Sequence, residues 1–238
     1  MKAIIQTSTA LTPNVKRFLI ETEVPINALP GQFVTLSFPE LLDENNRSIA
    51  RSYSLLNWAA NDSQLPVIEL CISLNSLGKV TPWLWGLDKP VEIESTEALG
   101  TFTLRDYQDS VYDEVSRILF ICTGTGIAPF IPMIEHILNN HPQKEVFLYS
   151  GNRNFTDELF TDILKLWEVE FPLFTYVPVF SREVSAENYG YVHAFYKEAL
   201  HMNCHVYVCG WSEMCKEARQ HLKAMGLTRK QYFFEQYN

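Results

Sequence analysis

Arg51-Ser52-Tyr53-Ser54 combines a cation, an aromatic hydroxyl and two small hydroxyls inside a strand-like segment. Side chains alternate along an extended segment, so Arg51 and Tyr53 share one face and Ser52 and Ser54 the other. Such a segment can grip a charged, planar ligand with backbone and side chains together. Further along, the apolar run 117–122 leads directly into Thr123-Gly124-Thr125-Gly126-Ile127-Ala128-Pro129 and then into helical spacing. Glycines at a strand-to-helix turn let backbone amides approach a phosphate, and the helix N-terminus adds favourable partial charge. A dinucleotide pyrophosphate suits this turn. A bare tight turn is the competing reading, because the pattern is not the GxGxxG fingerprint of the larger dehydrogenases.

Two textures in the chain bear on how these residues are held. Across 1–104 the segments are short and rich in β-branched and aromatic residues: 3–9, 15–23, 32–38, 52–58, 67–74 and 91–95. Turn residues at 12–14, 30–31 and 61–63 separate them, which predicts a small antiparallel β-barrel with one short helix at 82–85. The polar, acidic stretch 105–116 reads as a linker. Over 117–238, strand patterns at 117–122, 145–150, 173–180, 205–209 and 231–235 alternate with helical spacing at 131–138, 157–168, 193–200 and 213–225. That alternation predicts an α/β domain with a doubly wound parallel sheet. Thr123–Gly126 then follows the first strand of that sheet, where ligands gather at strand carboxyl ends.

Composition removes several function classes. The chain has 238 residues and a formal charge of −9, which disfavours non-specific nucleic-acid binding. No apolar stretch is long enough to span a membrane, and the opening residues lack the apolar core of a signal peptide, so a cytoplasmic location is expected. Five cysteines without a CxxC pair support neither a disulfide framework nor a zinc ribbon, and the plant-type iron–sulfur spacing is absent. The six histidines form no metal-binding pattern, so no metal is expected.

Arg51-Ser52-Tyr53-Ser54 resembles the Arg-x-Tyr-Ser signature of the ferredoxin-NADP reductase family, and Thr123–Phe130 resembles that family's nicotinamide-dinucleotide motif. Between them, Gly78-Lys79-Val80-Thr81 resembles the family's Gly-x-x-Ser/Thr element, and residues 97–104 resemble the barrel-closing stretch of its bacterial members. Cys209-Gly210 with Met214 resembles the Cys-Gly-x-x-x-Met element. The resemblance is strongest to the bacterial ferredoxin or flavodoxin reductases. It implies an FAD-binding barrel and an NADP(H)-binding second domain. Arg51 would meet the flavin pyrophosphate with the 78–81 turn, Tyr53 would lie against the ring, and Ser54 would lie near its reactive nitrogen. Cys209 would flank the nicotinamide, a role weighed against that of a small core residue ending an apolar strand.

Cofactor choice is expected to turn on Ser181 and Arg182, which follow a strand, and on Arg153 after the preceding one. A guanidinium pairs with phosphate in a bidentate way, which suits the extra phosphate of NADPH. Bacterial members often carry a further Arg after a Gly, whereas Tyr191 follows Gly190 here. At the C-terminus, Glu235 and Tyr237 match the spacing of a carboxylate and a flavin-covering Tyr in plant-type relatives, the alternative being an edge strand with a loose tail. The expected enzyme is a monomer that passes hydride from NADPH to FAD and exchanges electrons with a ferredoxin or flavodoxin. Ser54, Cys209 and Glu235 are its catalytic candidates. A flavin reductase, an oxygenase reductase component and a nucleotide-binding regulatory module are the alternatives.

Overall fold

The computed structural model describes residues 1–59, 64–105, 115–200 and 203–237. The expected turn at 61–63, most of the expected linker (106–114) and Asn238 lie outside the described residues. Two compact units emerge, Met1–Thr103 and Leu104–Asn238.

In the first unit the strands are β1 (Lys2–Thr12), β2 (Val15–Ile26), β3 (Phe33–Leu42), β4 (Ser48–Ser54), β5 (Leu65–Ser73) and β6 (Val91–Ser95), with α1 at Val80–Trp85. They form an antiparallel sheet in the order β4-β3-β6-β1-β2-β5. Alternation sends Ala3 and Ile5, Phe18 and Ile20, and Val34, Leu36 and Phe38 into one core. Burying that face is the main driving force for this unit. The two end strands meet through a bridge between Leu55 and Leu70 and a hydrogen bond from Leu56 N to Glu69 O of 2.8 Å. The sheet thereby closes on itself like a barrel, which covers edges that would otherwise invite pairing with another chain.

The strand expected at 52–58 begins and ends earlier, at Ser48–Ser54. Its start is set by a hairpin in which Asp43 N donates to Arg47 O at 2.9 Å and the Asp43 carboxylate accepts from the amides of Asn45 and Arg47 at 2.8 and 2.9 Å. Leu55 and Leu56 are buried, which makes the sequence look strand-like beyond the point where pairing with β3 stops.

In the second unit β7 (Arg117–Thr123), β8 (Glu145–Asn152), β9 (Phe174–Phe180), β10 (Cys204–Trp211) and β11 (Tyr232–Tyr237) form a parallel sheet ordered β11-β10-β7-β8-β9. Helices α2 (Phe130–Asn140), α3 (Thr161–Glu170) and α4 (Ser212–Ala224) link its strands. The central strand β7 and its inner neighbour β10 are buried almost throughout, as near-continuous apolar runs in a two-sided parallel sheet should be. Pro178 sits in β9 at the sheet's edge, where its missing donor is tolerated. Winding reverses between β7 and β10, the kind of switch point at whose strand carboxyl ends ligands gather in such sheets.

Two expected helices differ. The one expected at 157–168 starts only at Thr161, because Phe160 adopts a left-handed φ of 60° and the preceding Phe155–Asp157 forms a 3-10 turn inside an Asn154/Asp157 capping box. The one expected at 193–200 resolves into two 3-10 turns, Val192–Ala194 and Lys197–Ala199. Tyr196 between them is fully buried, and its hydroxyl meets His193 Nδ1 at 3.0 Å and His221 Nδ1 at 3.3 Å. That anchor, rather than helical periodicity, sets the local path.

Candidate functional site

In the first unit, β4 presents Arg51 opposite Leu36 and Tyr53 opposite Val34. Arg51 is exposed, while Tyr53 is partly buried against the core. Burial pushes the Tyr53 hydroxyl up to about 12 against the opposing pull of Arg51, so it stays a neutral hydrogen-bonding group at neutral pH. On the other face Ser52 Oγ lies 2.9 Å from Thr35 Oγ1, and Ser54 is buried.

The 78–81 turn is held by Asn75. Gly78 N donates to Asn75 O at 3.0 Å and Leu77 N donates to Asn75 Oδ1 at 3.1 Å. Thr81 Oγ1 accepts from Asn75 N at 2.8 Å and donates to Asn75 O at 3.0 Å. The Thr81 hydroxyl proton is therefore directed into the loop, and the backbone amides opening α1 are the groups without helical acceptors there. Lys79 Nζ reaches Leu42 O at 3.2 Å. Arg51 and Lys79, expected from separate motifs to meet one pyrophosphate, line a single cavity of about 470 Å³ with Asp43, Glu44, Asn45 and Ser48. Two cations facing one cavity fit a diphosphate group.

In the second unit, the expected residues at the switch point come together. A Cβ on Gly126 would lie 2.3 Å from Cys209 O and 2.8 Å from Gly210 Cα, so only glycine lets the 123–127 turn press against the end of β10. Gly210 has φ +144°, and a Cβ there would lie 2.5 Å from Thr123 Oγ1 and 2.9 Å from Met214 Cε. Thr123, Gly126, Cys209, Gly210 and Met214 thus form one packed cluster. Gly124 has φ +52° and nothing within 4 Å of where its Cβ would stand, leaving bare backbone facing open space. With Thr125, that surface suits a phosphate.

Cys209 is fully buried, in register with Glu235 on one side and Cys122 on the other. Burial first and the Glu235 carboxylate second push its thiol well above the ordinary range, opposed by a hydrogen bond with the Tyr237 side chain. Three residues singled out separately, Cys209, Glu235 and Tyr237, are neighbours at the ends of adjacent strands. A neutral thiol offers polarizable bulk and no charge.

Beyond β8 and β9 the backbone pairing continues: Ser181 N donates to Asn152 O and Arg182 N to Arg153 O, both at 2.9 Å. This sets Arg153 and Arg182 on neighbouring strand ends. Both are exposed, and neither has an ion-pair partner among the described residues. Sequence reading missed Asn75, whose role was legible in an Asx-type turn before Gly78. It also missed Trp211, 66% exposed directly after Gly210, whose only sequence signal is a large apolar residue at a strand end.

Residues 120–220 match the family model for an oxidoreductase NAD-binding domain. The reductase subunit of an aromatic O-demethylase from Amycolatopsis sp. is 33% identical over 71% of this chain and 48% of its own. The crystal structure of the Amycolatopsis cytochrome P450 reductase GcoB superposes with a TM-score of 0.84 at 25% identity, covering 99% of this chain and 69% of that one. A ferredoxin NADP+ reductase from Neisseria gonorrhoeae shares the fold with a TM-score of 0.81 at 22% identity, over 99% and 98% of the two chains. The chain spans about half the length of the curated relatives it matches. A sheet closed like a barrel, a doubly wound sheet and these matches agree: the chain carries an oxidoreductase NAD-binding domain and has the two-unit fold of the ferredoxin-NADP reductases.

Proposed function

We propose that this chain is an FAD-dependent NAD(P)H oxidoreductase that supplies electrons to a protein partner. The observation that carries the reading is the packed cluster of Thr123, Gly126, Cys209 and Gly210 at the switch point, beside open backbone at Gly124. In this reading residues 1–104 hold the flavin and 117–238 the nicotinamide dinucleotide. Arg51, Lys79 and the amides opening α1 bind the flavin pyrophosphate, and Tyr53 gives the ring an apolar flank. When bound, the flavin accepts a hydride and can release electrons singly, which joins a two-electron donor to a one-electron acceptor.

The protein's own contribution is positioning. Gly124 and Thr125 hold the dinucleotide pyrophosphate, and Cys209, neutral across the working range, packs beside the nicotinamide without competing as a base or nucleophile. Ser54 and Glu235 are the polar groups assigned to proton exchange, and Tyr237 is the residue assigned to cover the ring. Holding two rings within transfer distance accounts for much of the rate such a site supplies.

Arg153 and Arg182, which have no ion-pair partner among the described residues, support NADPH over NADH together with the Ser181 hydroxyl. The Arg182→Ala variant should raise the KM for NADPH roughly tenfold or more and leave NADH nearly unchanged, as loss of a charge-assisted phosphate contact implies. Equal effects on both nucleotides, measured with ferricyanide as acceptor, would remove Arg182 from a 2′-phosphate site. A ferredoxin or flavodoxin is the proposed partner of a monomeric, cytoplasmic enzyme. The second reading, the reductase of an oxygenase system, is favoured by the relatives' own descriptions, an aromatic O-demethylase reductase subunit and a toluate 1,2-dioxygenase electron transfer component. Ferricyanide reduction without transfer to any ferredoxin or flavodoxin would favour it.

A further inference from the structure

Four side chains packed between α4 and the 192–199 segment share one line of protons. Tyr196 is fully buried, and its hydroxyl lies 3.0 Å from His193 Nδ1 and 3.3 Å from His221 Nδ1. His193 Nε2 is buried without a hydrogen bond, and the Glu217 carboxylate stands 3.3 Å from it. A carboxylate attracts a proton and offers none, so the neutral His193 ring carries its proton on Nε2, and Nδ1 accepts from the Tyr196 hydroxyl. The hydroxyl oxygen then accepts from a proton on His221 Nδ1. One arrangement therefore satisfies the neutral network: His221 Nδ1–H to Tyr196 O, Tyr196 O–H to His193 Nδ1, and His193 Nε2–H toward Glu217.

One added proton is absorbed by shifting protons along this line. Two added protons cannot be placed. With both rings protonated, both Nδ1 atoms point a proton at Tyr196, whose own proton loses its acceptor in a fully buried site, and two cations stand with ring centroids 5.2 Å apart. Burial chiefly holds His193 below the ordinary histidine value, with Glu217 opposing and His221 reinforcing. A histidine kept neutral by folding contributes stability that is complete above the unfolded value of about 6.5 and is lost as pH falls through it. From the strands behind, Tyr149 packs edge-on to Tyr196 at 6.2 Å and faces Arg117 and Glu198, while Arg117 is held by Glu145 and by Ala199 O.

Both elements tied by this network reach the dinucleotide turn. A Cβ on Gly151 would lie 3.0 Å from Thr123 Cγ2 and 3.5 Å from Val192 Cβ, so Val192, next to His193, flanks Gly151 together with the residue that opens the turn. Helix α4 reaches the turn through Met214, whose Cε would lie 2.9 Å from a Cβ on Gly210. We infer that His193, Tyr196, His221 and Glu217 form a latch that holds these two elements against the dinucleotide turn and opens when both histidines are protonated, so that dinucleotide affinity falls in acid. This rests on the dinucleotide-binding reading above.

The test is a calorimetric titration of the full chain with NADP+ at pH 7.5 and pH 5.5. The 2′-phosphate itself titrates at about pH 6, so the ligand's own pH dependence is taken from His193→Gln, which keeps an acceptor for Tyr196 and a donor for Glu217 but cannot titrate. His193→Gln should match the unaltered chain at pH 7.5, and the unaltered chain should lose roughly threefold or more additional affinity by pH 5.5, a window that spans the ordinary histidine value. Tyr196→Phe keeps the ring and loses the tie, so it should bind more weakly already at pH 7.5 and show only the ligand's own pH dependence. Long-range proton–nitrogen spectra at pH 7.5 should place the ring protons on Nε2 of His193 and Nδ1 of His221. Equal acid losses in the unaltered chain and His193→Gln, full affinity of Tyr196→Phe at pH 7.5, or Nε2 protons on both rings would overturn the latch while leaving the dinucleotide site. Binding of neither NADP+ nor NAD+ at either pH would overturn the dinucleotide reading and the latch together.

Discussion

Gly124 and Gly126 lie two positions apart and do different work. At Gly126 the absent Cβ would strike backbone at 2.3 Å, which no rotamer change can relieve. Gly126→Ala should therefore cost about 1–3 kcal/mol of stability through overpacking and lower dinucleotide affinity together. At Gly124 a methyl group meets nothing, so Gly124→Ala should cost about 1–2 kcal/mol from its left-handed backbone alone while blocking the phosphate surface. Thermal melts with dinucleotide titrations separate the two; equal affinities in both variants and the unaltered chain would remove the turn from the binding site. Both glycines stood out in the sequence as a candidate phosphate-binding turn, but only the approach of β10 explains why the second is obligatory. The cysteines make a second prediction at this scale. All five are buried and none is in a disulfide; in four of them burial is the main cause of a raised thiol value, with Cys71 and Cys122 pushed up to about 12, Cys215 to about 11, and Cys209 also raised. Raised folded values mean that their contribution to stability is complete below the unfolded thiol value of about 8.5 and is lost as pH rises through it toward the folded values. Denaturant midpoints should fall above about pH 8.5, and a bulky thiol reagent should label none of the five in the native protein. Rapid native labelling of Cys209 would contradict its burial.

Among the elements, the turn before α1 shows how a short motif is shaped by a residue outside it. Thr81→Val removes both hydrogen bonds to Asn75 and leaves the Asn75 amide without its acceptor. The expected loss is about 1–2 kcal/mol in stability with weaker flavin retention, checked by melting and by the flavin released on dilution. If Thr81→Val retained full stability but lost flavin, the hydroxyl would be a direct ligand contact rather than a loop tie. Element boundaries explain what was legible in the sequence and what was not. The parallel strands were readable because β7 and β10 are apolar along almost their whole lengths. The start of β4 was not, because it depends on the Asp43 hairpin, and buried Leu55 and Leu56 continue the strand-like pattern past its end. Periodicity also suggested a helix near Tyr196, where the structure instead anchors the chain through His193 and His221.

For the whole molecule, the chain divides into an antiparallel unit and a parallel one, and the proposed chemistry requires both to bind their cofactors. The fold class was legible in the alternating textures of the chain and in the order of its motifs, because each motif is a local backbone device. Electron partners are chosen by surfaces that a single sequence does not reveal, so the acceptor has to be found by assay. The most direct measurement is the visible spectrum of the purified chain, before and after anaerobic addition of NADPH. The account predicts a bound FAD spectrum that bleaches on adding NADPH and returns when ferricyanide is supplied. A chain that binds no flavin after reconstitution with FAD and leaves NADPH and NADH unoxidised would contradict it.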